Sequence, residues 1–182
     1  EYRSLIEREA ARNNLDPAFV AAIVLNESSF RSDAESSVGA RGLMQVMPAT
    51  GKWVAGKIGL SDYHAGRLAD PRTNVLLGTS YMRLILEGLD NHPVLASAGY
   101  NAGPGRARRW RDDKPLEGAI YAETIPFDET RDYVKKVMAN AVIYAAMLQN
   151  RPQSLKARLG TVAPRPAPET ADPATNPNAN NE

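Results

Sequence analysis

The sequence predicts an all-α fold, and three observations support that prediction. Asp-Pro pairs at residues 16–17 and 70–71 indicate helix starts, with Asp as the cap and Pro in the first helical position. Apolar residues at helical spacing follow each pair. Strand-like alternation of apolar and polar residues is nearly absent from the chain.

The expected helices follow one another along the chain. The opening EYRSLIEREA looks helical, and Pro17, Pro48 and Pro71 are each expected to begin a further helix. A helix of small residues, PVLASAGYNA, should end at Gly103-Pro104-Gly105. The last long helix should run from about Asp128 to Gln149. Its apolar side comprises Val134, Val137, Met138, Ala141, Val142, Ala145 and Leu148.

Length and composition predict one domain and a tail. The chain has 182 residues, of which 43% are apolar, and this is enough for one hydrophobic core. We assign residues 1–160 to that domain. From residue 161 the composition changes to five Pro and four Asn with no apolar residue larger than Val. We expect 161–182 to be a disordered tail, because it cannot bury enough surface to offset the entropy of ordering.

Composition also argues against several classes of function. The net charge of +1 gives no general attraction to nucleic acid, although Arg106, Arg108, Arg109 and Arg111 cluster around Trp110. The chain has no Cys, and its two His lie 28 positions apart without ligand-like neighbours, so we expect no metal site. No apolar run approaches the roughly 20 residues of a membrane span. The helical start without a secretion signal suggests a fragment of a longer protein with other domains.

Glu27 is the acid that the sequence singles out. It follows Ile23 by four residues and Val24 by three, so the apolar face of its helix also bears the carboxylate. Desolvation there would favour the protonated form, which a general acid needs. The alternative is a helix-end acid that points into water or pairs with Arg31 or Arg41.

The segment that follows Glu27 resembles a known family. The residues ESSF at 27–30, Ser36 and GARGLMQVMP at 39–48 are similar to the signature of the lytic transglycosylases of peptidoglycan. Further stretches agree in order: LADPRTNV at 68–75 with LGTSY at 77–81, YNAGPGR at 100–106 with Trp110, and ETIPFDETRDYV at 123–134. The last stretch resembles the large soluble members. The likeness covers about residues 17 to 148 and implies a lysozyme-like fold.

The resemblance also implies roles for individual residues. Glu27 would be the single catalytic acid/base, with the Ser36 hydroxyl near it, or Ser37 if the loop is registered differently. Gln45 and Met47 would line the substrate groove, Tyr100 and Asn101 would approach Glu27, and Glu129 would lie on the groove wall. Other interpretations stay open: Met44 and Met47 as core residues, Tyr100 as packing with its hydroxyl on backbone, and Glu129 as an acid favoured by the helix dipole.

The implied reaction is cleavage of the β-1,4 bond between N-acetylmuramic acid and N-acetylglucosamine without water. Its product would carry a 1,6-anhydro ring, its partner would be peptidoglycan glycan strands, and no metal or organic cofactor is implied. The implied location is the periplasm or cell envelope. A hydrolytic lysozyme of the same fold and a non-catalytic peptidoglycan-binding module are the rival hypotheses. Two departures from the family pattern are visible: Arg31-Ser32 where Asn-Pro is frequent, and Ala98-Gly99 where two Ala are common.

Overall fold

The computed structural model describes residues 1–167, and helices dominate this part of the chain. The predicted all-α fold is confirmed. The helices are α1 (Arg3–Arg12), α2 (Pro17–Ser28), α3 (Pro48–Ile58), a 3-10 helix (Ala65–Ala69), α4 (Pro71–Glu87), α5 (Pro93–Ala102), α6 (Pro104–Arg109), α7 (Gly118–Thr124), α8 (Asp128–Gln149) and α9 (Leu155–Leu159). Two short strands, β1 (Leu116–Glu117) and β2 (Thr161–Val162), pair antiparallel.

Helix α2 lies at the centre of the domain. Its start is the predicted one, because the Asp16 side chain accepts a hydrogen bond from the Ala18 amide (2.9 Å) and Pro17 holds the first position. Every residue from Ala18 to Val24 is buried. A helix that is apolar all round is covered on all sides, and here α1 and α8 pack against it. The last turn of α2, which contains Glu27, is thereby placed beside α8.

The other expected helix starts also occur. Asp70 caps α4 by accepting a hydrogen bond from the Thr73 amide (3.0 Å), and α8 spans the range that its apolar side indicates. Helix α5 ends at Ala102, directly before Gly103-Pro104-Gly105, as expected, but these residues also start a helix that was not predicted. Gly103 adopts φ 96° and redirects the chain, after which Pro104 begins α6. Proline favours the first helical position because its fixed φ suits a helix and its missing N–H is not needed there.

The ordered domain continues beyond residue 160, where the sequence predicted it to end, so the predicted boundary is wrong for the first residues of the tail. Val162 is only 2% exposed and pairs with β1. Beyond the strand, the Arg111 side chain donates to the Ala163 carbonyl (3.0 Å), and the Arg165 amide donates to the Asp112 carbonyl (3.0 Å). One buried Val and a partner for the backbone are enough to order this stretch, which composition could not reveal. The rest of the expected tail, residues 168–182, lies outside the described residues.

Residues 1–167 contain neither a helix that could span a membrane nor a cluster of potential metal ligands. None of their helices combines the length and the apolar character needed to cross a membrane. Nor do these residues contain a group of three His, Asp or Glu side chains that could hold a metal ion. His92, one of the two histidines, caps α5: its Nδ1 accepts a hydrogen bond from the Val94 amide (3.2 Å).

Candidate active site

Glu27 occupies the last turn of α2, one residue before the helix ends at Ser28. Ser29 and Phe30 both adopt left-handed backbone angles (φ 53° and 62°), so the chain turns sharply just after the acid. The C-terminal end of a helix is the negative end of its dipole. That position disfavours a charged carboxylate and favours the protonated acid.

The Glu27 carboxyl meets α8 through Tyr133. The Tyr133 hydroxyl donates a hydrogen bond to Glu27 Oε1 at 2.8 Å. Burial raises the pKa of Glu27 from 4.5 to about 7; the hydrogen bond from Tyr133 opposes this rise, and the negative charge of Glu129 adds to it. Because burial dominates, both protonation states are populated near neutral pH. The carboxyl can therefore give a proton and take one back.

Tyr133 is the site residue for which sequence reasoning proposed no role. Burial and the Glu27 charge hold the pKa of its hydroxyl well above the ordinary value, so it stays a proton donor in the hydrogen bond. A signal for it was present in the chain. Tyr133 follows Glu129 by four residues, and residues four apart share one face of a helix.

Tyr100 lies on α5, and its predicted approach to Glu27 is supported by an effect of the acid's charge on its hydroxyl. Burial raises the pKa of its hydroxyl well above the ordinary value, and the charge of Glu27 raises it further. The hydroxyl donates to the Met44 carbonyl (2.6 Å). The interpretation that backbone satisfies this hydroxyl therefore also holds.

The segment between α2 and α3 is held in place by Asn74 of α4. The Asn74 side-chain oxygen accepts from the Met44 amide (2.9 Å), and its nitrogen donates to the carbonyls of Arg41 (2.8 Å) and Leu68 (2.9 Å). Gly42 has φ 76°, and a Cβ there would collide with the Asn74 side chain. The second stretch of the resemblance thus holds the loop that follows Glu27 in place.

Within residues 1–167, neither Ser36 nor Ser37 forms a hydrogen bond with the Glu27 carboxyl. The Ser36 hydroxyl accepts a hydrogen bond from the Ala40 amide (3.0 Å), four residues on. Ser37 is exposed. The hydrogen bond found on the Glu27 carboxyl comes from Tyr133. A direct role for either serine in holding the acid stays a prediction.

Gln45 closes the same loop with its side chain. It adopts a left-handed backbone (φ 49°), and its Nε2 donates to the carbonyls of Ala34 (3.1 Å) and Gly42 (3.0 Å). Its amide is therefore directed into the loop. The expected contact between Gln45 and the substrate stays a prediction.

The two methionines of the signature have different surroundings. Met44 is completely buried, as expected for a core residue. Met47 precedes α3 and is 39% exposed, so its side chain is open to a ligand. The core interpretation fits Met44, and the groove interpretation remains available for Met47.

Asn101 and Glu129 lie on neighbouring helices at the site. The Thr130 hydroxyl donates to Asn101 Oδ1 at 2.7 Å and so links α5 to α8. Glu129 is exposed in the first turn of α8, and its charge acts on Glu27. The charge of Glu129 thus reaches the acid, while the approach of Asn101 to Glu27 and the contacts of both residues with substrate stay predictions.

The arginines that could have neutralised Glu27 have other partners. Arg31 lies 3.5 Å from a carboxylate oxygen of Asp33, and Arg41 lies 3.6 Å from one of Glu35. The interpretation of Glu27 as one half of an ion pair with either arginine is therefore wrong. The acid is buried without a positive partner among these candidates, which is why its pKa rises.

Comparison with protein families agrees with this geometry. Residues 4–121 match the family model described as the transglycosylase SLT domain. The chain belongs to the lytic transglycosylase family. A second model, described as the soluble lytic transglycosylase helical domain, matches residues 124–153.

Similar members of the lytic transglycosylase family include soluble proteins that are much longer than this chain. The soluble lytic murein transglycosylase of Escherichia coli K12 is 35% identical over 159 residues, which are 86% of this chain and 25% of that protein. The structure of an inactive mutant of lytic transglycosylase Slt from Pseudomonas aeruginosa is 43% identical. It superposes with a TM-score of 0.80 over 85% of this chain and 25% of that one. The 70-kDa soluble lytic transglycosylase in complex with bulgecin A is 35% identical, with a TM-score of 0.76 over 83% and 25% of the two chains. This chain spans about a quarter of the length of these relatives.

One departure of this chain from the family pattern has a packing explanation. Gly99 is buried in α5, and a Cβ there would lie 3.1 Å from Leu89, 3.2 Å from Ile85 and 3.3 Å from Pro104. Glycine allows α5 to approach these neighbours closely. The other departure, Arg31-Ser32, lies in the loop after α2, where Arg31 pairs with Asp33.

Proposed function

We propose that this domain cleaves the β-1,4 bond between N-acetylmuramic acid and N-acetylglucosamine in peptidoglycan, without water, and leaves a 1,6-anhydro-muramic end. Glu27 is the single acid/base in this proposal. The observation that supports it most directly is the buried Glu27 carboxyl, whose pKa of about 7 equips it for both directions of proton transfer. Membership of the lytic transglycosylase family supports the same reaction.

The first step uses the protonated form of Glu27. Its proton passes to the glycosidic oxygen as the bond from that oxygen to C1 of the muramic residue breaks. The N-acetylglucosamine part leaves as an alcohol, and the N-acetyl group of the muramic residue stabilises the positive charge that develops at C1. Glu27 is now a carboxylate, and the Tyr133 hydrogen bond stabilises that charge.

The second step returns the proton. The C6 hydroxyl of the same muramic residue attacks C1, and the Glu27 carboxylate accepts its proton. The product is the 1,6-anhydro ring, and Glu27 ends in the form in which it started. A pKa near the operating pH suits both steps, because the same group must be a sufficient acid in one and a sufficient base in the other.

Hydrolysis is the second candidate, and Glu129 is the observation that favours it. Retaining and inverting glycosidases pair the acid with a second carboxylate that acts as nucleophile or base. Glu129 is the carboxylate whose charge acts on Glu27. Against hydrolysis, Glu129 is exposed, and the hydrogen bond on the Glu27 carboxyl comes from a tyrosine and not from a second carboxylate.

A non-catalytic module that only binds glycan is the remaining alternative. A buried acid with a raised pKa lowers the stability of the fold above neutral pH, and such a module would gain nothing in return.

The proposed partner is the glycan strand of peptidoglycan, and the proposed location is the periplasm or cell envelope. The names of the relatives support the substrate, since they are murein transglycosylases. The inactive mutant of the Pseudomonas aeruginosa relative exchanges one Glu for Gln, which is the exchange that would silence Glu27 here. Further domains of a longer protein are part of the proposal, because the relatives are about four times as long.

Mass spectrometry of the sugars released from purified peptidoglycan tests the proposal. We expect anhydro-muramic ends with wild-type protein and none with Glu27→Gln. Reducing ends in place of anhydro ends would establish the hydrolytic alternative. Intact glycan, with the protein retained on it, would establish a binding module.

A further inference from the structure

Trp53 is an aromatic side chain with half of its surface open: it is 50% exposed. It lies on α3, the helix that begins directly after the exposed Met47. Single exposed apolar side chains are common on folded proteins, so exposure alone has no meaning. Two further observations, a fixed orientation and a connection to the acid, distinguish Trp53.

Neighbouring side chains fix the orientation of the Trp53 ring. The Tyr81 ring meets it edge to face, with centroids 6.4 Å apart and planes at 88°. The Lys57 ammonium lies 5.7 Å from its centroid, one helical turn along α3. Both geometries are attractive for an aromatic ring. A surface ring that is already ordered loses little conformational freedom when a ligand binds it.

The same neighbours connect Trp53 to the site. The centroids of the Tyr81 and Tyr100 rings lie 5.6 Å apart. The Tyr100 hydroxyl donates to the Met44 carbonyl, and the charge of Glu27 contributes to the raised pKa of that hydroxyl. We call Trp53, Tyr81 and Tyr100 the aromatic line. It runs from the exposed Trp53 through Tyr81 to Tyr100, whose hydroxyl lies on the backbone of Met44 in the segment that follows Glu27.

We infer that Trp53 binds the apolar face of a sugar ring of the same glycan strand, at a subsite remote from the cleaved bond. A pyranose ring presents C–H groups on its faces and hydroxyls on its rim. An indole has a large apolar face and one N–H donor at its edge, so it suits a ligand with apolar faces and a polar rim. The inference rests on the proposed function for the identity of the strand. It adds a residue that determines binding along the groove.

Fluorescence tests this subsite directly, because the chain contains only two tryptophans, Trp53 and Trp110. In Glu27→Gln/Trp110→Phe protein, emission comes from Trp53 and the strand is not cut. Titration with glycan strands that lack stem peptides should change the Trp53 emission progressively until the change saturates. The matched Glu27→Gln/Trp53→Phe protein, which keeps Trp110, should not respond. An unchanged Trp53 signal while calorimetry records binding would overturn the inference. A change seen only with peptide-bearing strands would also overturn it, because the occupant would then be a peptide.

Kinetics give an independent readout. Trp53→Ala should raise KM on long strands by about three- to tenfold, from the worth of one aromatic contact, and leave kcat unchanged. This difference in KM from wild type should disappear when the substrate is the shortest glycan fragment that the protein cleaves. Ile58→Ala is the matched control. Ile58 is 42% exposed on the same helix, and because it follows Trp53 by five residues, it lies on a different side of that helix. An unchanged KM for Trp53→Ala, or an equal rise for Ile58→Ala, would refute the subsite.

The product analysis separates the two proposals. If wild-type protein releases no anhydro ends but Trp53 still responds to stripped strands, the reaction assignment fails and the subsite stands. If anhydro ends appear and Trp53 does not respond, the reaction stands and the subsite fails.

Discussion

Replacement of Glu27 by Gln tests the central assignment through stability as well as activity. The folded protein holds the Glu27 proton more tightly than the unfolded chain, because burial raises the pKa from 4.5 to about 7. The unfolded chain therefore loses this proton first as pH rises, and the free energy of unfolding falls between about pH 4.5 and 7. At about 1.36 kcal/mol per unit, the loss amounts to about 3 kcal/mol.

Glu27→Gln removes this pH-dependent loss. The amide oxygen can still accept the Tyr133 hydrogen bond, and no charge has to be buried. At pH 8 we expect the variant to be more stable than wild type by up to about 3 kcal/mol, or about 6 to 12 °C in Tm for a domain of this size. At pH 4 both proteins bury a neutral group and should differ little. Turnover should fall by about 100- to 10,000-fold, because the amide cannot donate the proton.

Thermal unfolding at pH 4 and pH 8, together with turnover on peptidoglycan, measures both effects. Glu129→Gln is the control for stability: Glu129 is exposed and this variant keeps the buried Glu27, so its stability should still fall between pH 4 and pH 8 nearly as much as in wild type. An equal loss of Tm at both pH values would refute the reasoning, because it would mean that Glu27 is a structural partner. Substantial retained turnover would refute the catalytic role.

Three further predictions concern Tyr133, Glu129 and the C-terminal strand. Tyr133→Phe should move the basic limb of the kcat/KM profile upward by about one to two pH units, because a hydrogen bond that favours the carboxylate is lost; a downward move would mean that this bond favours the protonated acid. Glu129→Gln should move the same limb downward by removing a like charge, with anhydro products still formed; their disappearance would identify a second catalytic carboxylate. Truncation after Gly160 should lower the free energy of unfolding by at least about 2 kcal/mol, since it exposes the surface that Val162 covers. Truncation after Ala167 is the control, and equal stability of the two truncated proteins would contradict this account of the strand.

Local signals in the chain determined much of the fold. Asp16 and Asp70 cap their helices as the Asp-Pro pairs indicate, and the apolar side of α8 defined that helix from Asp128 to Gln149. These features depend on residues within one or two turns of each other, so they can be recognised in the sequence. The placement of Glu27 on an apolar face was local too, and it indicated a raised pKa before any neighbour was known.

Only the tertiary structure decided which groups meet Glu27. Tyr133 is separated from it by 106 positions, and the packing of α8 on α2 brings the hydroxyl to 2.8 Å. The hydroxyl of Ser36, close in sequence, accepts a hydrogen bond from the Ala40 amide instead of bonding to Glu27 in this structure. The burial of Val162 depended likewise on β1, because its paired residue Leu116 lies 46 positions earlier in the chain. Periodicity and composition describe a residue's own element, whereas a hydrogen bond between distant elements depends on how the whole chain packs.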